Sequence, residues 1–410
     1  MNTLMKNHSL NEGYEKKLFL SGGYGSKVFN KNRTYEDLSF GAGSLILGHN
    51  NIIQKKCFKL FKQKKISLLA HPNTQTNDLS NLLGKIFKEY PKFIFCSTGS
   101  EAITKALRIT KAISKKKITI SVTGSWHGSV DKLLFKEINK KNLPLSDGLS
   151  EHDSQNLRFI EYNNIAKSEK ILKKYKNKIN CIIVEPIQGC LPDKNSIKYI
   201  QFLFNYAKKN KILIIFDEMI TGLRINGTSL QNYLKLVPDL TIFGKGFGGG
   251  LPLGIIAVSK KIQNIISKKK LKIFYGGTYS GNSFSTLLAY ETTKYINSNK
   301  KKIISQLNKK SEYLENNINF FLENKKIPAR IYRFQSLIRL VFTDNIVKNR
   351  VQRDFFEERN KIKIEKFRNF LETKNILYPK NGLIFLSTMT SKKNINYIIK
   401  NFKIALEKFL

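Results

Sequence analysis

The chain has 410 residues, with 72 Lys or Arg against 30 Asp or Glu, a formal net charge of +42, 41% hydrophobic and 25% charged residues. The length exceeds one typical domain and the composition is that of a globular enzyme, which excludes a disordered or fibrous chain. The lysines are spread in short runs such as Lys115-Lys116-Lys117 and Lys300-Lys301-Lys302, which argues for compositional drift rather than a specific nucleic-acid partner and leaves only salt-dependent, non-specific attraction to polyanions.

The N-terminal stretch from Met1 to Ser9 has no apolar signal core. No apolar run approaches the ~18 residues of a membrane span, so a cytoplasmic protein without a membrane partner is expected. In the first fifty residues, 27–29 and 35–38 read as strands. From about 90 to 260, apolar runs at 92–96, 118–122, 181–184, 212–216, 240–243 and 254–258 alternate with helical stretches such as 100–114 and 197–209. Short apolar strands separated by helices imply an α/β fold, a mostly parallel sheet covered on both faces. Residues 283–325 read as helical, and the remainder as an α+β unit with strands at 337–342 and 382–386 and a helix over 393–409. The expected division is a large domain over 51–296 and a small discontinuous α+β domain from 1–50 and 297–410. Four cysteines, Cys57, Cys96, Cys181 and Cys190, show no paired spacing, so neither a disulfide framework nor a zinc site is expected.

Five short motifs fall where strands meet loops, and a sixth is a turn before a helix. In Ser97-Thr98-Gly99-Ser100-Glu101-Ala102, the amides of Gly99, Ser100 and Glu101 suit a phosphate, or Ser97 or Thr98 simply caps a helix. In Gly124-Ser125-Trp126-His127-Gly128, Trp126 is a stacking platform or a core or interface residue, and His127 an orienting group or a turn residue. Glu185, before Pro186 in Glu185-Pro186-Ile187-Gln188-Gly189, is a cofactor contact or a loop acid. Asp217 closes an apolar run and needs a positive partner, either a pyridinium or Arg224 in Asp217-Glu218-Met219-Ile220-Thr221-Gly222-Leu223-Arg224. Lys245 sits in a glycine-rich turn, Gly244-Lys245-Gly246-Phe247-Gly248-Gly249-Gly250, that does not match the phosphate-loop order. Gly276-Gly277-Thr278-Tyr279-Ser280-Gly281-Asn282 is a second phosphate anchor or a flexible turn. A strand-end aspartate and a lysine in a glycine-rich turn suit pyridoxal 5'-phosphate. Lys245 would form the Schiff base and Asp217 would pair with the ring nitrogen.

On these motifs, with Tyr35-Glu36-Asp37-Leu38, Leu45-Ile46-Leu47-Gly48-His49 and Phe385-Leu386-Ser387, the chain resembles the class III pyridoxal-phosphate aminotransferases of fold type I. Within them it is most similar to the glutamate-1-semialdehyde 2,1-aminomutase group. The resemblance runs from about Leu18 to the C-terminus. It implies a large domain with a mostly parallel seven-stranded sheet, and phosphate binding by Gly99 and Ser100. It also implies stacking by Trp126, ring-nitrogen contact by Asp217, and Lys245 as both Schiff-base lysine and proton shuttle. A homodimer is implied too, with Thr278 reaching the neighbouring subunit's cofactor phosphate. His127 and Glu185 join the expected cofactor set. On the substrate side Ser26 matches that group's serine, but Phe29 stands in place of its arginine. The stretch Lys380-Asn381-Gly382-Leu383-Ile384-Phe385-Leu386-Ser387 lacks its glutamate, and Cys190 follows Gly189 where glutamate-using members carry an acid. Ser26, Phe29 and Trp126 are the substrate-contact candidates. The expected activity is amino transfer between a small amine donor and a carbonyl acceptor. The alternative is an intramolecular aminomutase, on glutamate-1-semialdehyde or a related substrate.

Overall fold

The computed structural model describes residues 18–68 and 72–410. Residues 1–17, part of the expected small domain, lie outside that range. The central sheet has seven strands: β1 (Lys92–Cys96), β2 (Ile118–Val122), β3 (Leu157–Ile160), β4 (Ile179–Val184), β5 (Leu213–Asp217), β6 (Leu240–Gly244) and β7 (Gly254–Val258). Their order is β1-β7-β6-β5-β4-β2-β3. Strands β2 to β6 pair in parallel, and β7 runs antiparallel to both β1 and β6. The expected mostly parallel sheet is present, and β3 is a strand the apolar runs did not reveal.

Alternate residues of each strand point to opposite faces, and both faces are buried. Leu213 and Ile215 pack with Ala102, Ala106 and Ile109 of helix Gly99–Ser114. Ile214 and Phe216 pack with Tyr199, Leu203 and Ala207 of helix Ser196–Lys209. A third cluster joins Phe243 and Phe247 to Leu79, Leu83 and Leu288. Because β2 to β6 share one direction and β1 runs with them, their C-terminal ends form one edge. The loops that leave this edge carry the motifs at 97–102, 123–128, 185–190, 217–224 and 244–250.

The helical stretch over 283–325 is two helices, Ser283–Ser298 and Lys300–Lys325, broken at Asn299. Beyond it, Arg330–Phe334, Leu337–Val341 and Leu383–Ile384 form an antiparallel sheet. Its apolar side meets Leu314, Ile318, Phe367, Ile395 and Phe402 from three helices. The N-terminal strands Gly22–Tyr24, Lys27–Phe29 and Thr34–Asp37 form a meander closed by Ile376–Leu377, which pairs in parallel with Glu36 and Asp37. No described helix is long and apolar enough to cross a membrane, and the described residues hold no metal-ligand cluster. All four cysteines are free.

Candidate active site

Lys245 follows the last residue of β6 and has φ 41°, a left-handed backbone that a side chain with a Cβ rarely adopts. Such strain persists only where surrounding packing imposes it. The packing here is close: a Cβ on Gly244 would fall 2.6 Å from the Leu253 carbonyl, and one on Gly246 would fall 2.9 Å from Ile46 Cδ1. Lys245 forms no ion pair among the described residues and keeps part of its side chain accessible. Burial pulls its ammonium below the ordinary lysine range, Asp217 and Glu185 pull it back, and Arg224 pushes it down further.

Asp217 ends β5 and is buried. Its Oδ2 lies 2.8 Å from His127 Nδ1, and its Oδ1 accepts the Met219 amide at 3.2 Å. His127 is buried as well, and its Nε2 has no partner among the described residues. The partner of Asp217 is therefore His127, and the Arg224 alternative does not hold. Arg224 instead donates to the Gly43 carbonyl (3.0 and 3.2 Å) and the Leu386 carbonyl (3.5 Å), with its guanidinium 4.5 Å from the Phe385 ring centre. Burial pulls it down to about 9.

Glu185, just past β4, accepts the Trp126 amide at 2.7 Å and the Gly189 amide at 3.4 Å. Its carboxyl is raised, first by burial and then by Asp217, against His127, the Trp126 amide and Lys245. Gln188 ties the same two loops, donating to the Thr123 carbonyl and Ser125 Oγ, both at 3.0 Å. Trp126 itself is half exposed and makes no ring contact among the described residues, which rules out a core role.

At the N-terminus of helix Gly99–Ser114, Thr98 is the cap and accepts the Glu101 amide at 3.1 Å. The amides of Gly99 and Ser100, in the first turn, have no acceptor among the described residues. The Glu101 amide, expected with them, is therefore already used. The Glu101 carboxylate accepts the Ser97 amide at 2.7 Å and pairs with Lys105 at 2.5 Å. Ser100 Oγ accepts the Ser129 amide at 2.9 Å. Thr278 is exposed, in the turn after Gly277.

The substrate-side candidates are engaged within the N-terminal meander. Ser26 is buried and donates to Glu36 Oε2 at 2.8 Å. The Phe29 ring covers Gly22, where a Cβ would fall 2.6 Å from it. One residue without an assigned role in the sequence is Met219. Its thioether methyl would lie 2.8 Å from a Cβ on Gly99 and 2.6 Å from one on Gly244, so it spans the space between the free amides and the lysine turn. Its only sequence signal is its place two residues after Asp217.

Pyridoxal phosphate fits these residues on three observations. Among the described residues, two first-turn amides lack an acceptor, a buried carboxylate has a histidine as its only side-chain partner, and a partly accessible lysine stands near two carboxylates without an ion pair.

The chain matches the family described as aminotransferase class-III over residues 11–361. It is 31% identical over 401 residues to a glutamate-1-semialdehyde 2,1-aminomutase of Methanosphaera stadtmanae, covering 95% of this chain and 92% of the relative. It is 33% identical over 395 residues to that of Wigglesworthia glossinidia brevipalpis, covering 92% and 88%. Among solved structures, an omega-transaminase from Sphaerobacter thermophilus superposes with TM-score 0.86 at 18% identity, covering 95% of this chain and 90% of that one. A glutamate-1-semialdehyde aminomutase from Pseudomonas aeruginosa PAO1 superposes with TM-score 0.85 at 16% identity, covering 96% and 88%.

Proposed function

Because this chain belongs to the class-III aminotransferase family, we propose that it is an aminomutase, moving an amino group between carbons of one small substrate. Its cofactor is pyridoxal 5'-phosphate. The relatives named as aminomutases, matched over nearly the whole chain, support transfer within one molecule. The rebuilt substrate side, with Phe29 and the acid-free stretch 380–387, favours a substrate related to glutamate-1-semialdehyde rather than that compound itself.

The observation that carries the reading is Lys245, left-handed and partly accessible, set near Asp217 and Glu185. When bound, the cofactor supplies an electron sink for the carbon that loses a proton. The amides of Gly99 and Ser100 hold its phosphate at the positive end of a helix. Asp217, held by His127, is the residue that would pair with the ring nitrogen and favour its protonated form. Trp126 would stack on the ring, and Glu185 fixes the Trp126 backbone. Lys245 Nζ would take the proton from the substrate carbon and deliver it to the carbon on the far side of the transferred nitrogen. In the same reading residues 51–296 hold the cofactor, 1–50 and 297–410 form the smaller domain, and Thr278 serves the neighbouring subunit of a homodimer.

A second reading, amino transfer between separate donor and acceptor, is favoured by the missing carboxylate-handling residues. The visible spectrum of the cofactor-loaded protein with L-glutamate and no keto acid separates the two. Conversion to the pyridoxamine form that persists after the amino acid is removed supports separate donor and acceptor and refutes the aminomutase. Failure to convert, with turnover of an amino-aldehyde by itself, supports the aminomutase. A protein that shows no cofactor band refutes both.

A further inference from the structure

The cofactor reading leaves one charged cluster unused. Strand Leu337–Val341 and helix Arg350–Glu358 bring Arg339, Arg350 and Arg353 against the loops that follow β2 and β4. Arg353 is buried and donates through Nη1 to the Cys190 carbonyl at 2.6 Å. Arg350 lies on Gly124: a Cβ there would fall 2.5 Å from Arg350 Cβ, and Arg350 Nη1 donates to the Gly124 carbonyl at 3.4 Å. The Cys190 thiol donates to that same carbonyl at 3.4 Å. Arg350 therefore stands beside the loop that carries Trp126 and across one carbonyl from Cys190, in the loop that begins at Glu185.

The charges in this cluster do not balance. Glu357 serves Arg339 at 3.2 Å and Arg353 at 3.1 Å. Asp354 serves Arg353 and also Arg350, the latter at 3.1 Å. Three guanidiniums share two carboxylates, and the nearby Glu161 is taken by Lys167 and Asn349. Arg350 has only a share of Asp354, which is half exposed, and its own side chain is 31% accessible where that of Arg353 is 6%. One residue before Cys190 the same loop packs on aliphatic side chains: a Cβ on Gly189 would touch Ile220 and Leu383. A partly accessible, under-paired guanidinium beside the loops that carry Trp126 and Cys190 suits a planar carboxylate, which the guanidinium fork grips with two hydrogen bonds.

We infer that Arg350 is a specificity-determining residue that binds a substrate carboxylate at the end remote from the reacting nitrogen. Arg339 and Arg353 act as positioning residues, holding the helix that carries Arg350 against both loops. The inference rests on the proposed amino-transfer site at Lys245. It places the anionic anchor on a different element from Phe29, where the related aminomutases carry arginine.

The test is a spectral titration of the cofactor-loaded wild type, R350Q and R350K with 5-aminopentanoate and with n-pentylamine. These share the amine and chain length and differ in the carboxylate. Wild type is expected to bind the acid at least about tenfold more tightly than the amine. R350Q is expected to bring that ratio near one without changing affinity for the amine, and R350K to keep an intermediate ratio. A ratio in R350Q equal to that of wild type, or a wild-type ratio of one, overturns the inference. Should R350Q fail to take up cofactor, R350K decides: a reduced ratio supports the anchor and an unchanged one overturns it. A wild type without the cofactor's visible band overturns the proposed function beneath it, a result distinct from the failure of Arg350.

Discussion

Substituting Gly254 by alanine tests whether the turn at Gly99 and the lysine turn are held by one strand. Gly254 opens β7 and pairs with both Gly244 and Cys96. An added Cβ would sit 2.2 Å from the Thr98 carbonyl oxygen, short of ordinary contact by roughly 1 Å. That carbonyl accepts the Ala102 amide at 3.1 Å, so it belongs to the first turn of helix Gly99–Ser114 and moves with it. The obstacle is backbone on a packed helix, not the end of a flexible side chain. Overpacking of this kind costs about 1–3 kcal/mol. With most of that cost falling on the turn at Gly99 and Ser100, Gly254→Ala weakens cofactor binding by about tenfold or more. The assay is titration of the cofactor-free protein with pyridoxal phosphate, followed by the visible band. Gly84→Ala is the control: Gly84 lies inside helix Thr74–Ile86 with nothing within 4 Å of its added Cβ. It should leave cofactor affinity unchanged and raise stability by up to about 1 kcal/mol. A Gly254→Ala protein with wild-type cofactor affinity and stability would falsify the coupling.

Lys245→Ala should abolish turnover while cofactor can still bind through the first-turn amides; measurable steady-state activity in that variant refutes the lysine's role. Asp217→Asn should slow proton removal by about a hundredfold or more, the scale of one positioned group. A single-turnover rate equal to wild type would rule out its place against the ring nitrogen. Arg224→Met leaves the buried Gly43 and Leu386 carbonyls without their donor, a cost of about 1–3 kcal/mol that urea unfolding should register. In the cofactor-free protein, the depressed Lys245 means the folded state holds that proton less tightly than the unfolded state. The unfolded state therefore binds more protons, and stability attributable to Lys245 rises with pH up to the ordinary lysine value of 10.5. Wild type should gain on Lys245→Met as pH increases; a difference that is flat or narrows with pH contradicts the assignment.

The candidate site's main motifs could be picked out because they lie at strand ends within one stretch of chain, each next to a recognisable apolar run. Pairings across long sequence separations were not legible. The partner of Asp217 is His127, ninety positions earlier, whereas the sequence offered the nearer Arg224. Strand β3 was missed because it is a short edge strand whose pattern is broken by the partly exposed Arg158. The hairpin of Phe135–Ile138 with Lys141–Pro144 turns through Asn139 and Lys140, both left-handed, without the glycine that marks such turns. Leu383–Ile384 is shorter than the apolar run around it, since Phe385 turns away to bond the Leu38 carbonyl. Arg350 carries no motif at all. Its placement depends on Gly124, whose missing side chain lets the helix settle on the loop, and that closeness exists only in three dimensions.

The parallel pairing of Ile376 with Glu36 has a consequence for how the protein is made. The two partners lie about 340 residues apart, so at roughly 5–20 residues per second the N-terminal meander waits about 20–70 s on the ribosome for its last strand. During that interval the edge formed by Thr34–Asp37 has open backbone donors and acceptors, and Val28 and Tyr35 lack the cover that Leu377 later supplies. This meander is thus made some 340 residues before the strand that closes it, and until then its open edge can pair with other strands.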